Sequence, residues 1–202
     1  MAEWEDCDER QSLGASVRRL LDAVVTTGAS ASELGAAAVA IDQVTTRLAA
    51  TTRRQELSAE PDTSARASMS LVGGLSHPAA PQLTLQTTHD GAAGEVVIGS
   101  VFQGGPGVVH GGVVALLVDH AMGFVANRAL EPAMTVRLGL RYRRPTPLGV
   151  PLTVAVRLDR VEGRKLHLSA TITASGEVTA EADAIFVRLT PGKLDEVFVR
   201  PM

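Results

Sequence analysis

One stretch, residues 104–119 reading "GGPGVVHGGVVALLVD", most constrains how this chain can fold. It opens a helix predicted from about Gly111 to Leu130, and residues 113–118 are apolar on every side of that helix. Such a helix has to be buried all round, which requires a sheet wrapped around it. Asp119 ends the apolar run, although an ionised carboxylate among apolar groups is costly unless it is hydrogen-bonded or paired.

Strand-like segments on both sides of this helix supply the sheet. They are residues 83–88, 94–102, 134–142, 151–161, 164–174 and 177–189. The first of them ends at Asp90-Gly91, and three later separators have hairpin chemistry: Gly149 to Pro151, Glu162-Gly163 and Ser175-Gly176. Because the connections between the last strand segments are short, we expect these strands to form an antiparallel meander.

The strand after the helix alternates in polarity, as a strand with one face on a helix requires. Its apolar positions are Val136, Leu138, Leu140 and Tyr142, and its basic positions are Arg137, Arg141 and Arg143. The sequence therefore predicts an α+β domain, an antiparallel sheet wrapped around one long central helix.

The first part of the chain is predicted to be a pair of amphipathic helices. Apolar residues recur three and four apart from Leu13 to Val25, and Gly28 ends this pattern. Ser30 and Glu33 have the spacing of a capping box, and a second apolar face continues to Leu48. Two amphipathic helices of this kind need an apolar surface to cover.

Composition shifts divide the chain into three predicted parts. Residues 1–57 form the N-terminal helical extension, residues 58–81, rich in Ser, Ala, Pro and Gly, form a linker, and residues 82–202 form the sheet-and-helix domain.

Composition also narrows the function classes. The net charge of -3, the 3% aromatic content and an excess of acidic residues in the extension argue against nucleic acid as a partner. The longest apolar run is too short to cross a membrane, and the acidic first residues do not resemble a secretory signal, so we expect a cytoplasmic protein. The single cysteine and the lack of zinc-ligand spacing predict neither disulfide nor metal, and no cofactor is expected.

The paired glycines Gly111 and Gly112 are predicted to start the central helix. A helix N-terminus presents unpaired N–H groups and partial positive charge, and residues without side chains leave those donors open to a ligand. The segment is thus a candidate oxyanion site. The alternative is that the glycines only permit a tight turn into the helix.

Asp119 likewise has two interpretations, a structural salt bridge or cap, and a catalytic base or nucleophile. It lies eight residues after Gly111, or about 12 Å along the helix axis at ~1.5 Å per residue, so one reacting carbonyl cannot contact both. If both act, Gly111 has to face Asp119 of a second subunit whose helix runs antiparallel. A twofold dimer with two shared sites follows.

The stretch "GPGVVHGGVVALLVDHAMG" resembles the signature of hotdog-fold acyl-CoA thioesterases, in the branch of the phenylacetate-pathway and 4-hydroxybenzoyl-CoA thioesterases. The resemblance covers roughly residues 82–190, and "RYRRPTPLG" and "VEGRKLHLSATI" fit its later strands. It implies a long helix wrapped by an antiparallel sheet, and a homodimer or dimer of dimers formed by pairing sheets.

The resemblance also implies residue roles. The Gly111 N–H polarises the thioester carbonyl, and Asp119 of the partner chain acts as nucleophile or as the base that activates water. His110 matches a histidine that orients or polarises the substrate, with local backbone bonding as the alternative. Thr135 falls where a Ser or Thr holds the water or the carboxylate, although strand parity places it opposite Val136 unless a bulge turns it.

The sequence also offers candidate residues for contacts with the substrate. Relatives carry an Asn or Gln a few residues before the histidine, whereas this chain has Gly104 there, with Gln103 beside it. The coenzyme A phosphates have candidate ligands in Arg143, Arg144, Arg164 and Lys165, for which a solvated strand face is the alternative. His120 points away from Asp119 on the helix and is expected to be structural or interfacial.

Thioester hydrolysis is therefore the expected activity, on an acyl-CoA substrate. Two alternatives stay open on the same fold: a dehydratase or hydratase, for which the chain lacks an Asp and His on one loop, and a non-catalytic acyl-CoA sensor with the N-terminal helices as its output.

Overall fold

The computed structural model describes residues 7–51, 68–130 and 132–189. The ends of the predicted extension (1–6 and 52–57), the first ten linker residues and the last thirteen residues of the predicted domain lie outside them. Helices α1, α2 and α3 span Cys7–Thr26, Ala31–Ala49 and Gly111–Ala129, and a short 3-10 helix spans Ser100–Phe102. Strands β1 to β6 span Thr84–Thr87, Gly91–Val97, Ala133–Tyr142, Pro151–Glu162, Lys165–Ala174 and Glu177–Arg188.

The six strands form one antiparallel sheet in the order β1-β2-β4-β5-β6-β3. Strands β4, β5 and β6 are consecutive neighbours, which confirms the predicted meander. One face of the sheet packs on α3, and its alternate residues form the core, as in β5, where Leu166, Leu168, Ala170 and Ile172 are buried. The α+β architecture with a central helix and N-terminal helices is confirmed.

Helix α3 is buried on one side only, so the prediction that it is buried all round is wrong for the single chain. Its buried residues are Val114, Leu117, Val118, Ala121, Met122, Val125 and Ala126. Val113, Leu116 and Phe124, which are also apolar, are only half-buried. The reason is that a single six-stranded sheet curves around one side of a helix and leaves the other side accessible.

The predicted turns are present, with one difference in what they connect. Gly163 (φ 60°), Ser175 (φ 51°) and Gly176 (φ 82°) have the left-handed backbone that tight hairpins require. Gly149 (φ 71°) also lies in a turn, but this turn leads into β4 from β3, and these two strands are not neighbours. The hairpin expected at Gly149 to Pro151 is therefore wrong, because β3 pairs with β6 at the far edge of the sheet.

Strand β3 is an edge strand with a bulge near its start. Thr135 pairs with Phe186 and Arg137 pairs with Ile185, so Val136 is the extra residue. Because directly paired residues share a face, Thr135 lies on the face of Phe186, which packs on α3. The bulge thereby turns Thr135 from the outer to the helix-facing side.

The extension is attached through α1. Gly14 lies so close to the chain that a Cβ there would sit 2.7 Å from the Ser76 carbonyl oxygen, and Arg18 donates a hydrogen bond to His77 O at 2.7 Å. The described half of the predicted linker, residues 68–81, is itself packed, since Val72 and Ala80 are buried. No described helix is both long and apolar enough to cross a membrane.

Helix α2 begins with the predicted capping box, in which the Ser30 side chain accepts from Glu33 N and the Glu33 carboxylate accepts from Ser30 N. No residue of α2 is buried.

The same substitution at two helical glycines should have opposite effects on stability. Gly35→Ala in α2 meets no atom within 4 Å and should stabilise the protein by up to about 1 kcal/mol through helix propensity. Gly14→Ala in α1 should instead destabilise it by about 1–3 kcal/mol, because the added methyl group collides with the backbone at Ser76. Urea unfolding followed by circular dichroism measures both, and stabilisation by both substitutions would show that α1 does not dock as described.

Candidate active site

An open cleft of about 600 Å³ lies at the start of α3. It is formed where the loop before the helix meets the end of β3 and the loop that follows it. Its lining residues are Gly104, Gly105, Val108, Val109, His110, Gly111, Val114, Tyr142, Arg143, Arg144, Pro145 and Thr146. Four of the residues predicted from the sequence to act on substrate are therefore brought together here: His110, Gly111, Arg143 and Arg144.

The first two glycines of α3 have different hydrogen-bonding states. His110 is the N-cap, and its Nδ1 accepts from Gly112 N at 3.0 Å. The Gly111 N–H has no hydrogen-bond acceptor among the described residues, and Gly111 lines the cleft. Because Nδ1 is an acceptor, a neutral His110 carries its proton on Nε2. The side chain of His110 therefore accepts from the Gly112 N–H and leaves the Gly111 N–H available to a ligand.

Tyr142 is a site residue that the sequence analysis placed only on the apolar face of a strand. Its hydroxyl donates to Gly111 O at 2.8 Å, and a Cβ added at Gly111 would lie 3.1 Å from the hydroxyl oxygen. The space under this ring is thus tight for any side chain at position 111. The signal in the sequence was the single tyrosine of the chain, at the end of that face beside two arginines.

Asp119 is half-buried and is held by Thr135. The Thr135 hydroxyl donates to Asp119 Oδ1 at 2.9 Å, which the bulge in β3 makes possible. No ion pair among the described residues includes Asp119, so the structural salt bridge considered from the sequence is not formed there. One carboxylate oxygen is fixed and the other is left for further interaction.

The Thr135–Asp119 pair and the cleft lie apart within one chain. Gly111 and Asp119 are eight residues apart on a continuous helix, about 12 Å along its axis. Tyr142 and Thr135 mark the same two positions at opposite ends of β3. A single chain therefore presents two half-sites, a donor end and a carboxylate end.

Gln103 and Gly104 support the loop before the helix. The Gln103 side chain accepts from Gly107 N at 3.3 Å, and Gln103 is not among the residues that line the cleft. A Cβ at Gly104 would lie 2.8 Å from the Cα of His110. Because the backbone approaches so closely, position 104 has no room for the amide side chain that the family resemblance implied near this position.

The four basic residues considered for phosphate binding fall into two groups. Arg143 and Arg144 are at the cleft, where they pair with Glu181 and Glu177 across partly exposed ion pairs. Lys165 pairs in register with Val187, whereas Tyr142 pairs with Ala180. Seven residues of β6, about 24 Å, thus separate Arg164 and Lys165 from the other two arginines.

His120 lies on α3 against the segment before β1, where a Cβ added at Gly73 would be 3.5 Å from its Nε2. Burial lowers the pKa of His120 below its usual 6.5, and the neighbouring Asp119 charge opposes this effect only in part. Among the described residues, no group of three or more His, Cys, Asp or Glu side chains is placed to hold a metal ion.

Comparison with known proteins points to one family. The sequence profile of the thioesterase superfamily matches residues 106–181, which include α3 and β3 to β5. A crystal structure of a thioesterase superfamily protein is 30% identical in sequence, has a TM-score of 0.77, and aligns over 88% of this chain and 94% of its own. The Escherichia coli PaaI protein of the phenylacetic acid degradation operon, 17% identical with a TM-score of 0.52 over 55% of this chain and 81% of its own, shares the fold.

Curated sequences match a little under half of the chain. Acyl-coenzyme A thioesterase THEM4 of Mus musculus is 41% identical over 102 residues, 46% of this chain and 44% of the relative. THEM4 of Bos taurus is 38% identical over 97 residues, 47% of this chain and 40% of the relative. The chain thus spans less than half the length of these relatives.

The lowered pKa of His120 predicts a pH-dependent stability. Below about pH 6.5 the unfolded state binds the proton more readily than the folded state, so the free energy of unfolding should fall as pH decreases from 6.5 to the folded-state pKa. His120→Asn should flatten this part of the profile, measured by urea unfolding at several pH values. His89→Gln, at an exposed histidine, is the matched control, and an unchanged slope in His120→Asn would contradict the assignment.

Proposed function

Because this chain belongs to the thioesterase superfamily, we propose that it is an enzyme that hydrolyses an acyl-CoA thioester to the free acid and coenzyme A. The curated relatives named acyl-coenzyme A thioesterases support this substrate class. The observation that carries the proposal is that the Gly111 N–H has no described acceptor and that Gly111 lines the cleft. The N–H of the next residue, Gly112, is already bonded to His110. One donor aimed into a cleft at a helix N-terminus suits a carbonyl oxygen that gains negative charge.

The active form is proposed to be a homodimer, because each chain supplies two different half-sites. The ten-residue edge strand β3 has unpaired backbone groups and exposes Met134 and Val136, which favours pairing with another strand. The accessible part of α3 also includes an apolar residue, Leu116. Antiparallel pairing of two β3 strands about a twofold axis would bring Gly111 of one chain toward Asp119 of the partner subunit.

In the proposed reaction, the Gly111 N–H donates to the thioester oxygen while Asp119 of the partner subunit acts at the carbonyl carbon. Two routes are open to this carboxylate. As a general base it removes a proton from water, which adds to the carbon and expels the thiolate. As a nucleophile it forms an acyl anhydride, which water then hydrolyses. In both routes the C–S bond breaks and the coenzyme A sulfur takes up a proton.

Three residues are proposed to position these groups. Thr135 holds one Asp119 oxygen, so the other is directed at the reacting atoms. Tyr142 covers Gly111 and bonds its carbonyl, which fixes the first turn of α3. His110 has its Nε2–H free to orient the substrate. Each contact narrows the range of geometries available to the two catalytic groups.

Arg143 and Arg144 are proposed to bind the phosphates of coenzyme A, exchanging their exposed glutamate partners for a stronger acceptor. Antiparallel pairing across β3 would turn Arg164 and Lys165 of the partner subunit toward the same end of the sheet. They would then lie about three strand spacings, ~14 Å, from this chain's β3. The four basic residues that one chain separates would thereby share one side of the dimer.

Subunit mixing tests the proposed site. Asp119→Ala and Gly111→Pro proteins should each lose about a hundredfold or more in kcat, because one lacks the carboxylate and the other lacks the N–H. A mixed dimer has one site with both groups intact, so it should recover about half of the wild-type activity. Thiol release from a panel of acyl-CoA substrates measures this.

Gly111→Ala is the matched control, since it adds a side chain but keeps the N–H, and it should retain more activity than Gly111→Pro. Position 111 is the first helical residue, where proline is compatible with the helix. Inactive mixed dimers, with heterodimer formation demonstrated, would contradict the shared site. Acyl-CoA binding without thiol release by the wild type would favour the non-catalytic sensor instead.

Because of the Thr135–Asp119 hydrogen bond, two substitutions of Thr135 should have different effects on kcat. Thr135→Val keeps the shape of the side chain and removes the donor, so kcat should fall about tenfold, the worth of one hydrogen bond to a charged group. Thr135→Ser should keep most of the activity. If Thr135→Val and the wild type had equal kcat values, the Thr135 hydroxyl would not position the Asp119 carboxylate.

A further inference from the structure

Helix α2 exposes an apolar surface that the described chain does not cover. No residue of α2 is buried, and Leu34 (48%), Ile41 (37%), Val44 (41%) and Leu48 (54%) all keep large exposed fractions. A single helix of this length is marginally stable in water without packing, so a partner for this face is expected.

The apolar residues of α2 have the spacing of a two-helix seam. Leu34, Ala37, Ile41, Val44 and Leu48 follow one another at alternating intervals of three and four, which is the a and d pattern of a coiled coil. We name this row the α2 seam. Such a seam is narrower than the stripe of a helix that packs on a globular core. Its pattern therefore suits another helix as the partner.

We infer that the α2 seam pairs with the α2 seam of a second copy of this chain, with the two helices antiparallel. The charges select this arrangement. Glu33 and Arg47 flank the seam on the same side, fourteen residues apart. When Leu34 lies opposite Val44 of the second copy, Glu33 of each helix lies beside Arg47 of the other, which gives two complementary pairs.

The opposite orientation lacks this complementarity. In a parallel pair, the flanking position that faces Glu33 is Ala38, and no opposite charge meets. Antiparallel packing also places the partly positive N-terminus of each helix near the partly negative C-terminus of the other, which is favourable. The antiparallel register further carries Leu48 past the start of the other α2, toward the end of α1, where Val24 and Val25 are exposed.

A lipid surface fits α2 less well. Helices that lie in a membrane interface usually carry several Lys or Arg residues on the polar face, whereas Arg47 is the single basic residue of α2. The small residues beside the seam, Ala38 and Ala40 among them, instead allow two helices to approach closely. The pairing does not depend on the catalytic proposal, because it involves neither the cleft nor β3.

Disulfide trapping tests both partner and orientation. In a Cys7→Ser background, the double variant Leu34→Cys/Val44→Cys should form a covalent dimer on oxidation, because the two positions face each other across the antiparallel pair. Within one helix they are ten residues, about 15 Å, apart, which excludes an internal disulfide. Each single variant should fail to cross-link, since its copies would be about 15 Å apart. Cross-linking by the single variants would indicate a parallel pair and overturn the proposal.

A charge in the seam provides the second measurement. Ile41→Glu added to the double variant should reduce the covalent dimer at least about tenfold, because a carboxylate would be buried at the seam. Ala36→Glu, on the opposite side of α2, should leave it unchanged, and both variants should keep the basal activity. Absence of a covalent dimer in the double variant, or binding of the wild type to anionic vesicles that Ile41→Glu abolishes, would refute pairing between copies.

Discussion

The packing of α3 against the concave face of the sheet is the constraint on which the rest of this structure depends. Residues such as Leu117, Val118 and Met122 are fully buried against strands that come from both sides of the helix in sequence. Because the hydrophobic gain requires this contact, the start and the middle of α3 are held in a fixed relation to the two ends of β3. Gly111 is set beside Tyr142, and Asp119 is set beside Thr135.

The chemistry follows from two positions on that helix. Its N-terminus provides an N–H that no described group accepts, and its middle provides a carboxylate that one hydroxyl holds. A rigid helix keeps them about 12 Å apart, so neither loop motion nor a rotamer change can bring them to one carbonyl. The proposed sharing of the site between two chains is the direct consequence of this rigidity.

Other surfaces of the chain also lack a partner among the described residues. Within the described residues, one side of α3 is accessible, the outer edge of β3 is unpaired, and the apolar row of α2 is uncovered. A protein of this size can bury a full core, and this one does around the sheet, so we attribute these surfaces to the proposed contacts between chains and not to a deficient core. The sheet edge and the α2 seam are separate surfaces, and two interfaces per chain are what a dimer of dimers requires.

The sequence by itself determined the helices, most of the strand positions and the candidate pair Gly111 and Asp119, because periodicity, capping and turn chemistry are local properties. The strand expected over 94–102 was placed wrongly, since β2 spans Gly91–Val97 and Ser100–Phe102 is a 3-10 helix. The sequence could not determine that β3 joins the far edge of the sheet beside β6, or that one side of α3 stays accessible, since these depend on how distant segments pack. The position of Thr135 is the clearest case: strand alternation places it outward, and the bulge at Val136 turns it to Asp119. Tyr142 over Gly111 and the closed space at Gly104 are likewise contacts between distant segments, which only the tertiary structure decided.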